Sequence, residues 1–299
     1  MPRSQYLRVV PLLITLVTGA AATARAQGPP PPEMHATGLT GGVFRLAGNL
    51  GRDFSAQATY PFRLARDQPL RFTLGATALL GLVAADNATR DAIASPEFIR
   101  DHGLLGPARQ LSSAAGPTTM VPLALAAGAI GLFGPPRERE TGGMLVEALI
   151  TSSAWTGVLK YACGRERPRE TTEISADWTG PGALFTTEPV DGRGLRSFPS
   201  GHTSGAWAMA TVLAHQYPSH GIVPVIAYGA AAAMGYSRMA VGAHWLSDVV
   251  AGGLIGYGCA RQVISAHEGG SPAPADDTGW HLYLGSDGDV RGGGLVYQF

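Results

Sequence analysis

The stretch FPSGHT, from Phe198 to Thr203, leads into an apolar, alanine-rich segment that begins at Gly201. Serine is a preferred residue at the start of a helix, and the free backbone N–H groups of a helix start bind anions. Two further polar stretches lie at the ends of apolar segments, KYACGRERP at 160–168 and SRMAVGAHWLSD at 237–248. Together the three stretches predict a helical fold that gathers reactive side chains at helix ends.

Six apolar segments rich in alanine and glycine surround these stretches, and the length of each predicts a helix. Between the first two, the polar residues 87–113 predict one or two short amphipathic helices. Residues 169–198 predict a long loop, and loops of that length are usually functional or disordered. We therefore predict an all-α fold of six main helices. The predicted helices lie near residues 70–86, 118–134, 142–161, 201–216, 221–237 and 244–266.

The N-terminal residues 1–26 have the pattern of a signal peptide. Arg3 and Arg8 form a basic region around the start of a short apolar core, and Ala24-Arg25-Ala26 has the small-x-small form of a cleavage site. We expect the mature chain to begin near Gln27. The pattern predicts export to the periplasm or cell envelope.

The remaining boundaries follow from changes in composition. Residues 27–66 are rich in proline and glycine and predict a linker, then an irregular segment with a short strand near 43–46. The bundle domain spans 67–268. Residues 269–299 predict a linker and a C-terminal β-hairpin, because apolar residues there flank glycine-rich turn residues. Two strands cannot close a membrane barrel, so we expect the hairpin to pack on the domain.

Export permits disulfide bonds, and the chain has two cysteines, Cys163 and Cys259. Cys259 lies far along the last predicted helix from the end where Cys163 sits, roughly 20 Å away at the rise of an α-helix. A disulfide needs Cα atoms within about 7 Å. We therefore predict two free thiols.

The composition argues against several classes of function. Hydrophobic residues make up 45% of the chain, charged residues 15%, and the formal net charge is zero. This balance gives no basic surface for nucleic acid. The uninterrupted apolar runs are mostly shorter than the roughly 20 residues of a transmembrane helix. Three spans after a cleaved signal would also carry Lys160 to the cytoplasmic side. We predict a soluble or peripheral bundle and leave membrane association open.

Lys160 is the single lysine among 22 basic residues, and the others are all arginine. A composition that replaces lysine almost everywhere suggests that the remaining lysine is chemically required. Arg167 and Arg238 also lie near helix ends. Arginine forks match phosphate oxygens in pairs and lysine adds a compact charge, so the three cations predict a phosphate site.

The histidines and their neighbours predict the chemistry at that site. His244 and Asp248 are four residues apart and share a helical face, where a carboxylate can hold the imidazole as a nucleophile. His202 can donate a proton to a leaving group. Ser200 and Gly201 open the helix that carries His202, and Gly201 permits close approach of a ligand to the backbone.

The combined pattern Lys-x6-Arg-Pro, Pro-Ser-Gly-His and Ser-Arg-x5-His-x3-Asp resembles that of the type 2 phosphatidic acid phosphatase (PAP2) superfamily. This superfamily also includes bacterial class A acid phosphatases and vanadium haloperoxidases. The resemblance covers roughly residues 67–266, so residues 67–268 would form a PAP2-type phosphatase domain. The matching positions are Lys160, Arg167, Pro168, Pro199, Ser200, Gly201, His202, Ser237, Arg238, His244 and Asp248.

The resemblance implies an all-α, six-helix PAP2-type bundle with its active site at one end, and it implies a role for each of these side chains. His244 would attack phosphorus to form a phosphohistidine, Asp248 would orient it, and His202 would protonate the leaving oxygen. The phosphate would be bound by the cations and the start of the helix, and no metal or cofactor is implied. The phosphate-binding residues would be Lys160, Arg167, Ser200, Gly201 and Arg238. The substrate would be a lipid phosphate, a polyprenyl diphosphate or a small soluble ester.

Other functions fit parts of the pattern. A vanadium haloperoxidase would hold vanadate in the same pocket. A metal-dependent hydrolase would use His202, His244 and Asp248 as zinc ligands, although the three cations would repel the metal. An envelope protein with an inactive site is a further alternative. A serine hydrolase that uses Ser200 is disfavoured because the chain has no Gly-x-Ser-x-Gly elbow.

Overall fold

The structure is a computed structural model, and it is predominantly helical. The predicted signal peptide, the Pro-rich segment 27–38 and most of the loop 169–198 lie outside the residues that it describes. The described residues are 39–114, 117–171, 178–181, 196–219, 221–269, 279–287 and 290–298.

The helices follow the apolar segments of the sequence. Each of the six predicted segments falls on one helix, although α2 and α6 extend several residues beyond the prediction. The described helices are α1 (Leu39–Asp67), α2 (Pro69–Ile93), α3 (Pro96–Asp101), α4 (Leu105–Ala114), α5 (Pro117–Phe133), α6 (Pro136–Cys163), α7 (Gly201–Gln216), α8 (Ile222–Ala240) and α9 (Leu246–His267).

The predicted count of six helices is not confirmed, and the prediction of an irregular segment with a short strand before residue 67 is wrong. That segment forms α1. Its glycines lower helix propensity, but contacts with α6 outweigh this cost. Asn49 donates to Glu147 at 2.8 Å, and Trp155 donates to Gln57 at 2.8 Å. Helices in proteins gain most of their stability from such packing.

The core lies between α6, α7 and α9. Two glycines of α9 let its backbone approach α7 closely, because a side chain at Gly252 or Gly256 would collide with the carbonyl oxygen of Ser200 or Ser204. This approach brings the start of α9 beside the start of α7. The buried core side chains are Met144, Ala148, Ala208, Val212, Ala260, Val263 and Ile264.

The C-terminal residues form two antiparallel strands, β1 (Gly279–Asp287) and β2 (Val290–Gln298), with Trp280 opposite Tyr297. The packing of a hairpin on the bundle stays a prediction.

The described residues include one helix, α9, that is long and apolar enough by length and composition to cross a membrane. Of its most apolar window, 44% is buried inside the bundle. Both cysteines are buried and free, as the sequence predicted.

Candidate active site

The three polar stretches of the sequence meet at one end of the bundle. Backbone hydrogen bonds connect them. Ser197 N–H donates to Arg165 O at 2.9 Å, Ser200 N–H to Asp248 O at 2.9 Å, and Arg169 N–H to Gly242 O at 3.1 Å. The segment after α6, the start of α7 and the connection from α8 to α9 therefore form one fixed unit.

Glycines shape two of these connections. Gly164 ends α6 in the left-handed conformation (φ 56°), and a side chain there would collide with Gly180 O. Gly242 turns the chain between α8 and α9 (φ 65°). Both positions favour glycine because other residues are strained at positive φ. The turn at Gly164 directs residues 165–168 back across the end of the bundle. The turn at Gly242 positions His244.

His244 and Asp248 are both buried and face each other. Nδ1 of His244 lies 3.6 Å from Oδ2 of Asp248, at ion-pair distance. Burial lowers the pKa of His244 to about 4, assisted by Lys160 and Arg238 and opposed by Asp248. The imidazole is therefore neutral at pH 7. A proton on Nδ1, the nitrogen that faces the carboxylate, would leave the lone pair of the neutral ring on Nε2.

Asp248 is held by several donors at once. Its Oδ2 accepts from Ser197 Oγ at 2.5 Å and from Trp245 N–H at 2.9 Å, and its Oδ1 accepts from Arg165 at 2.6 Å. Burial disfavours the ionised carboxyl, but Arg165 and these hydrogen bonds hold the pKa of Asp248 below its ordinary value. The carboxylate is thus ionised and fixed in orientation.

Arg165 is the centre of a buried network that sequence reasoning missed. Its guanidinium donates to Asp248 at 2.6 Å and to Asp86 on α2 at 2.6 Å. Ser247 donates its hydroxyl to Asp86 and accepts from Arg165 at 2.7 Å. The guanidinium also lies over the rings of Trp178 and Trp245. Asp86 is the first acid of α2 and follows the uncharged stretch 72–85, and that position was the signal in the sequence.

The three predicted phosphate-binding cations lie close enough to act on one another electrostatically. Burial lowers the pKa of Lys160 to about 8, and Arg167 and Arg238 add to this effect. Burial also lowers the pKa of Arg167, and that of Arg238 to about 10, with neighbouring arginines contributing. Like charges gathered in this way lower one another's pKa, and a bound anion would relieve that repulsion.

Two of these cations also have neutral oxygen partners. Lys160 Nζ donates to Arg196 O at 2.8 Å, and Arg238 donates to Ser112 Oγ of α4. Ser112 lies outside the three sequence motifs, and nothing in its local sequence distinguished it. These bonds position the cations without neutralising them.

The start of α7 contributes the remaining predicted residues. Ser200 is buried and caps the helix, because its Oγ accepts from Thr203. A side chain at Gly201 would lie 3.8 Å from Lys160 Cε, so the Gly201 backbone faces the lysine. His202 is half-buried, and burial together with Arg238, His244 and Lys160 lowers its pKa to about 4. A bound anion would counteract these charges and raise that pKa.

The arrangement of donors disfavours a zinc site. Among the described residues, no three His, Cys, Asp or Glu side chains converge as metal ligands. Asp248 is occupied by Arg165, Ser197 and the Trp245 backbone. The charges that act on the neutral His244 include those of the cations Lys160 and Arg238, which suits an oxyanion better than a metal ion.

Comparison with protein families identifies the segment that carries this site. The sequence model of the PAP2 superfamily matches residues 142–269. This range includes every predicted site residue, whereas Asp86 and Ser112 lie outside it.

Three curated proteins are similar to part of the chain. The lipid A 1-phosphatase of Porphyromonas gingivalis is 32% identical over 124 residues, which are 40% of this chain and 23% of that protein. An acid phosphatase of Zymomonas mobilis is 33% identical over 116 residues, 38% and 40% of the two chains. The lipid A 1-phosphatase of Rhizobium etli is 31% identical over 112 residues, 37% and 44% of the two chains. The chain thus spans less than half the length of these relatives.

Two solved structures are also similar. One is a transmembrane PAP2 type phosphatidylglycerolphosphate phosphatase from Bacillus subtilis, with a TM-score of 0.47 and 22% identity over 64% of this chain and 94% of that one. The other is Aquifex aeolicus LpxE, with a TM-score of 0.38 and 24% identity over 62% and 94% of the two chains.

Proposed function

We propose, from the premise that residues 142–269 belong to the PAP2 superfamily, that this protein is a phosphoric-ester hydrolase that cleaves phosphate monoesters. One observation carries the proposal. A buried, neutral histidine 3.6 Å from an ionised aspartate lies near a group of three cations, Lys160, Arg167 and Arg238, whose charges act on one another. Relatives named lipid A 1-phosphatase and acid phosphatase support the same class of reaction.

Phosphate binding comes first in the proposed reaction. Lys160, Arg167 and Arg238 bind the phosphate oxygens, joined by Ser200 and the N–H of Gly201. Charge-assisted hydrogen bonds of this kind are roughly twice as strong as neutral ones. They also stabilise the charge that spreads over the equatorial oxygens in the transition state, so the proposed mechanism needs no metal ion.

The first chemical step forms a phosphohistidine. Nε2 of His244 donates its lone pair to phosphorus while the bond from phosphorus to the leaving oxygen breaks. Asp248 accepts the Nδ1–H and stabilises the charged ring. His202 supplies the proton that the leaving oxygen takes, because the bound phosphate raises its pKa from the low value of the empty site.

The second step releases the phosphate. Water attacks phosphorus of the phosphohistidine, His202 takes the proton of the water, and the bond between phosphorus and Nε2 breaks. The site then holds inorganic phosphate and both histidines return to their starting states. The proposed partner is thus a phosphorylated small molecule or a lipid phosphate.

The test is phosphate release from 4-nitrophenyl phosphate by the purified protein. We expect activity that a chelator leaves unchanged and that orthovanadate inhibits competitively, since vanadate adopts the five-coordinate geometry of the transition state. Rapid quenching should trap a phosphoenzyme that is labile in acid and stable in base. Activity lost in chelator and restored by zinc would instead support the metal-dependent hydrolase.

We further propose that the protein is exported and contacts a membrane of the cell envelope. The N-terminal sequence pattern supports export. Large apolar side chains exposed on α5 and α8, such as Phe133 at 73% and Val225 at 68%, support contact with lipid. Fractionation of cells, with lipid and soluble esters assayed in each fraction, tests both points. Activity confined to the cytoplasm would contradict them.

A further inference from the structure

A cavity of about 260 Å³ lies beside His244, between α2–α4 and the connection from α8 to α9. Most of the residues on one side come from helices that lie outside the segment matched by the family model. The cavity is lined by Asp86, Arg90, Ala94, Pro96, Ile99, Arg100, Leu105, Arg109, Pro168, Arg169, Met239, Ala240, Val241, Gly242, His244, Trp245 and Leu246.

Four of the lining side chains are arginines: Arg90, Arg100, Arg109 and Arg169. Among the described residues, the one carboxylate in the lining is Asp86, which already accepts from Arg165 at 2.6 Å and from the Ser247 N–H at 2.9 Å. The cavity is therefore strongly positive.

Three of these arginines also contact the acid that follows them in the sequence. Arg90 pairs with Asp91 at 3.1 Å, Arg100 with Asp101 at 3.3 Å, and Arg169 with Glu170 at 3.3 Å, in each case through Nε. None of the three acids lines the cavity. Surface pairs of this kind contribute little free energy, so a ligand with greater charge can compete with them.

Apart from His244, the rest of the described lining is mostly apolar. Ile99 and Ala240 are buried in a small hydrophobic cluster of α3, α4 and α8, and Leu105, Met239 and Val241 lie on the same wall. A free inorganic ion would leave this wall without a partner. A phosphate group attached to an apolar chain would match both parts of the cavity.

Arg169 connects the positive charge of the cavity with that of the active site. Arg169 lines the cavity, and the charge of Arg169 acts on both Arg167 and Arg238. The backbone of Arg169 is fixed to Gly242 of the lining by a hydrogen bond of 3.1 Å. One positive region therefore extends from the phosphate site, past His244, into the cavity.

We propose that this cavity is a second phosphate-binding site, which takes a phosphate group carried on an apolar chain. The inference rests on the proposed function and deepens it. The second phosphate would belong either to an amphiphilic substrate that carries two phosphates or to a second phosphorylated amphiphile that binds beside the first. Both sources present the same chemistry to the four arginines. Arg100 and Arg109 are exposed, so substitutions of these two arginines should disturb folding least.

The test measures binding by calorimetry with octylphosphonate and octane-1,8-bisphosphonate, which cannot be hydrolysed. The cavity variant is Arg100→Gln/Arg109→Gln. The control variant, Arg66→Gln/Arg71→Gln, removes the same charge from exposed positions of α1 and α2 outside the cavity. If one substrate spans both sites, the bisphosphonate binds wild type and control at least about tenfold more tightly than octylphosphonate, because charge-assisted bonds are added. The cavity variant then loses most of this preference.

If the second phosphate comes from a separate molecule, two octylphosphonates bind per wild-type chain and one binds per chain of the cavity variant. The inference is overturned if octylphosphonate binds once or not at all and the bisphosphonate has no advantage. It is also overturned if the cavity and control variants behave alike. The proposed function is tested separately. It fails if the wild-type protein releases no phosphate from 4-nitrophenyl phosphate, whatever the calorimetry shows.

Discussion

Among the described residues, α6 contributes to two buried polar clusters, one where the helix ends and one near its middle. The active-site cluster lies where α6 ends, around Lys160 and His244. The second, here called the distal cluster, consists of Asn49, Asp53, Glu147 and His267. At the rise of an α-helix, Glu147 and Lys160 lie roughly 20 Å apart along α6. Each cluster contains a histidine beside a carboxylate, yet the two histidines have opposite charge behaviour.

In the distal cluster the carboxylate dominates. Nε2 of His267 lies 2.8 Å from Glu147, whose other oxygen accepts from Asn49. This hydrogen bond raises the pKa of His267, although burial opposes it. In the active-site cluster, burial and the charges of Lys160 and Arg238 lower the pKa of His244 despite Asp248. A nearby carboxylate therefore does not by itself protonate a histidine. The cations around His244 favour the neutral imidazole that a nucleophile requires.

The largest expected effect comes from removing each histidine in turn. His244→Ala should lower kcat on the order of 10⁴-fold, because the nucleophile is lost. The three cations remain, so phosphate should bind with nearly unchanged affinity. His267→Ala should leave kcat within about twofold and lower the free energy of unfolding by about 1–3 kcal/mol, since buried Glu147 loses a partner.

Steady-state kinetics, phosphate titration and thermal unfolding of the two variants check this contrast. Equal losses of activity in both variants, or full activity in His244→Ala, would remove the distinction between the clusters.

Asp86 provides the next test, because it anchors the active-site cluster from outside the matched segment. Asp86→Asn leaves Arg165 with one buried anion, which should cost about 3 kcal/mol of stability. It should also lower kcat by about tenfold even where the protein is fully folded, since Arg165 positions Asp248. Asp67→Asn, an exposed acid at the end of α1, is the control and should change stability by less than about 0.5 kcal/mol.

Kinetics and thermal unfolding are measured on the same preparations. A wild-type kcat in folded Asp86→Asn would mean that the network supports the fold but does not position the catalytic carboxylate.

Lys160→Arg tests whether the active-site cluster requires a lysine or only a charge. Lys160 approaches Gly201 closely and donates to Arg196 O, and a wide planar fork does not match that space. We expect kcat/KM to fall at least about tenfold, equivalent to about 1.4 kcal/mol of transition-state stabilisation. Steady-state kinetics that match the wild type would show that charge alone is required.

The same variant predicts a change in pH dependence. Burial lowers the pKa of Lys160 to about 8, so in the wild type kcat/KM should decrease as pH rises through about 8 and the lysine loses its charge. Arginine stays charged there, so the decrease should move to higher pH in Lys160→Arg. A decrease near pH 8 in both proteins would assign it to another group.

The helices and the proposed site residues could be predicted because both depend on local sequence. Apolar segments of sufficient length located the six main helices, and residue types at helix ends indicated an anion site. The structure then brought Lys160, His202 and His244 to one end of the bundle through backbone hydrogen bonds between the three stretches.

The parts that sequence reasoning missed depend on contacts between distant residues. Glycines in α1 favoured an irregular segment, and only its packing on Trp155 and Glu147 makes it a helix. The bond from Arg165 to Asp86 joins positions 79 residues apart, so no local pattern contained it. The arginine-lined cavity likewise forms only when α2–α4 meet the connection after α8.

The smallest expected effect concerns Asp53 in the distal cluster, which the proposed reaction does not use. Its side chain is 1% exposed and one of its oxygens has no hydrogen-bond partner among the described residues. Burial raises the pKa of Asp53 to about 6, against the opposing charge of Arg52. The protonated form is therefore favoured by the fold, and its contribution to stability is fully present below the ordinary pKa of aspartate and lost as pH rises through about 6.

Asp53→Asn should remove this loss, because an amide stays neutral at every pH. One pKa unit corresponds to about 1.4 kcal/mol, which limits the gain to about 3 kcal/mol. An asparagine must still bury a polar amide, so we expect a net stabilisation of about 1 kcal/mol at pH 7.5, no gain at pH 4, and unchanged kcat. Denaturant unfolding at the two pH values measures this difference. A destabilised Asp53→Asn at pH 7.5 would mean that the ionised carboxylate is bound in the distal cluster, and that both clusters stabilise a buried charge.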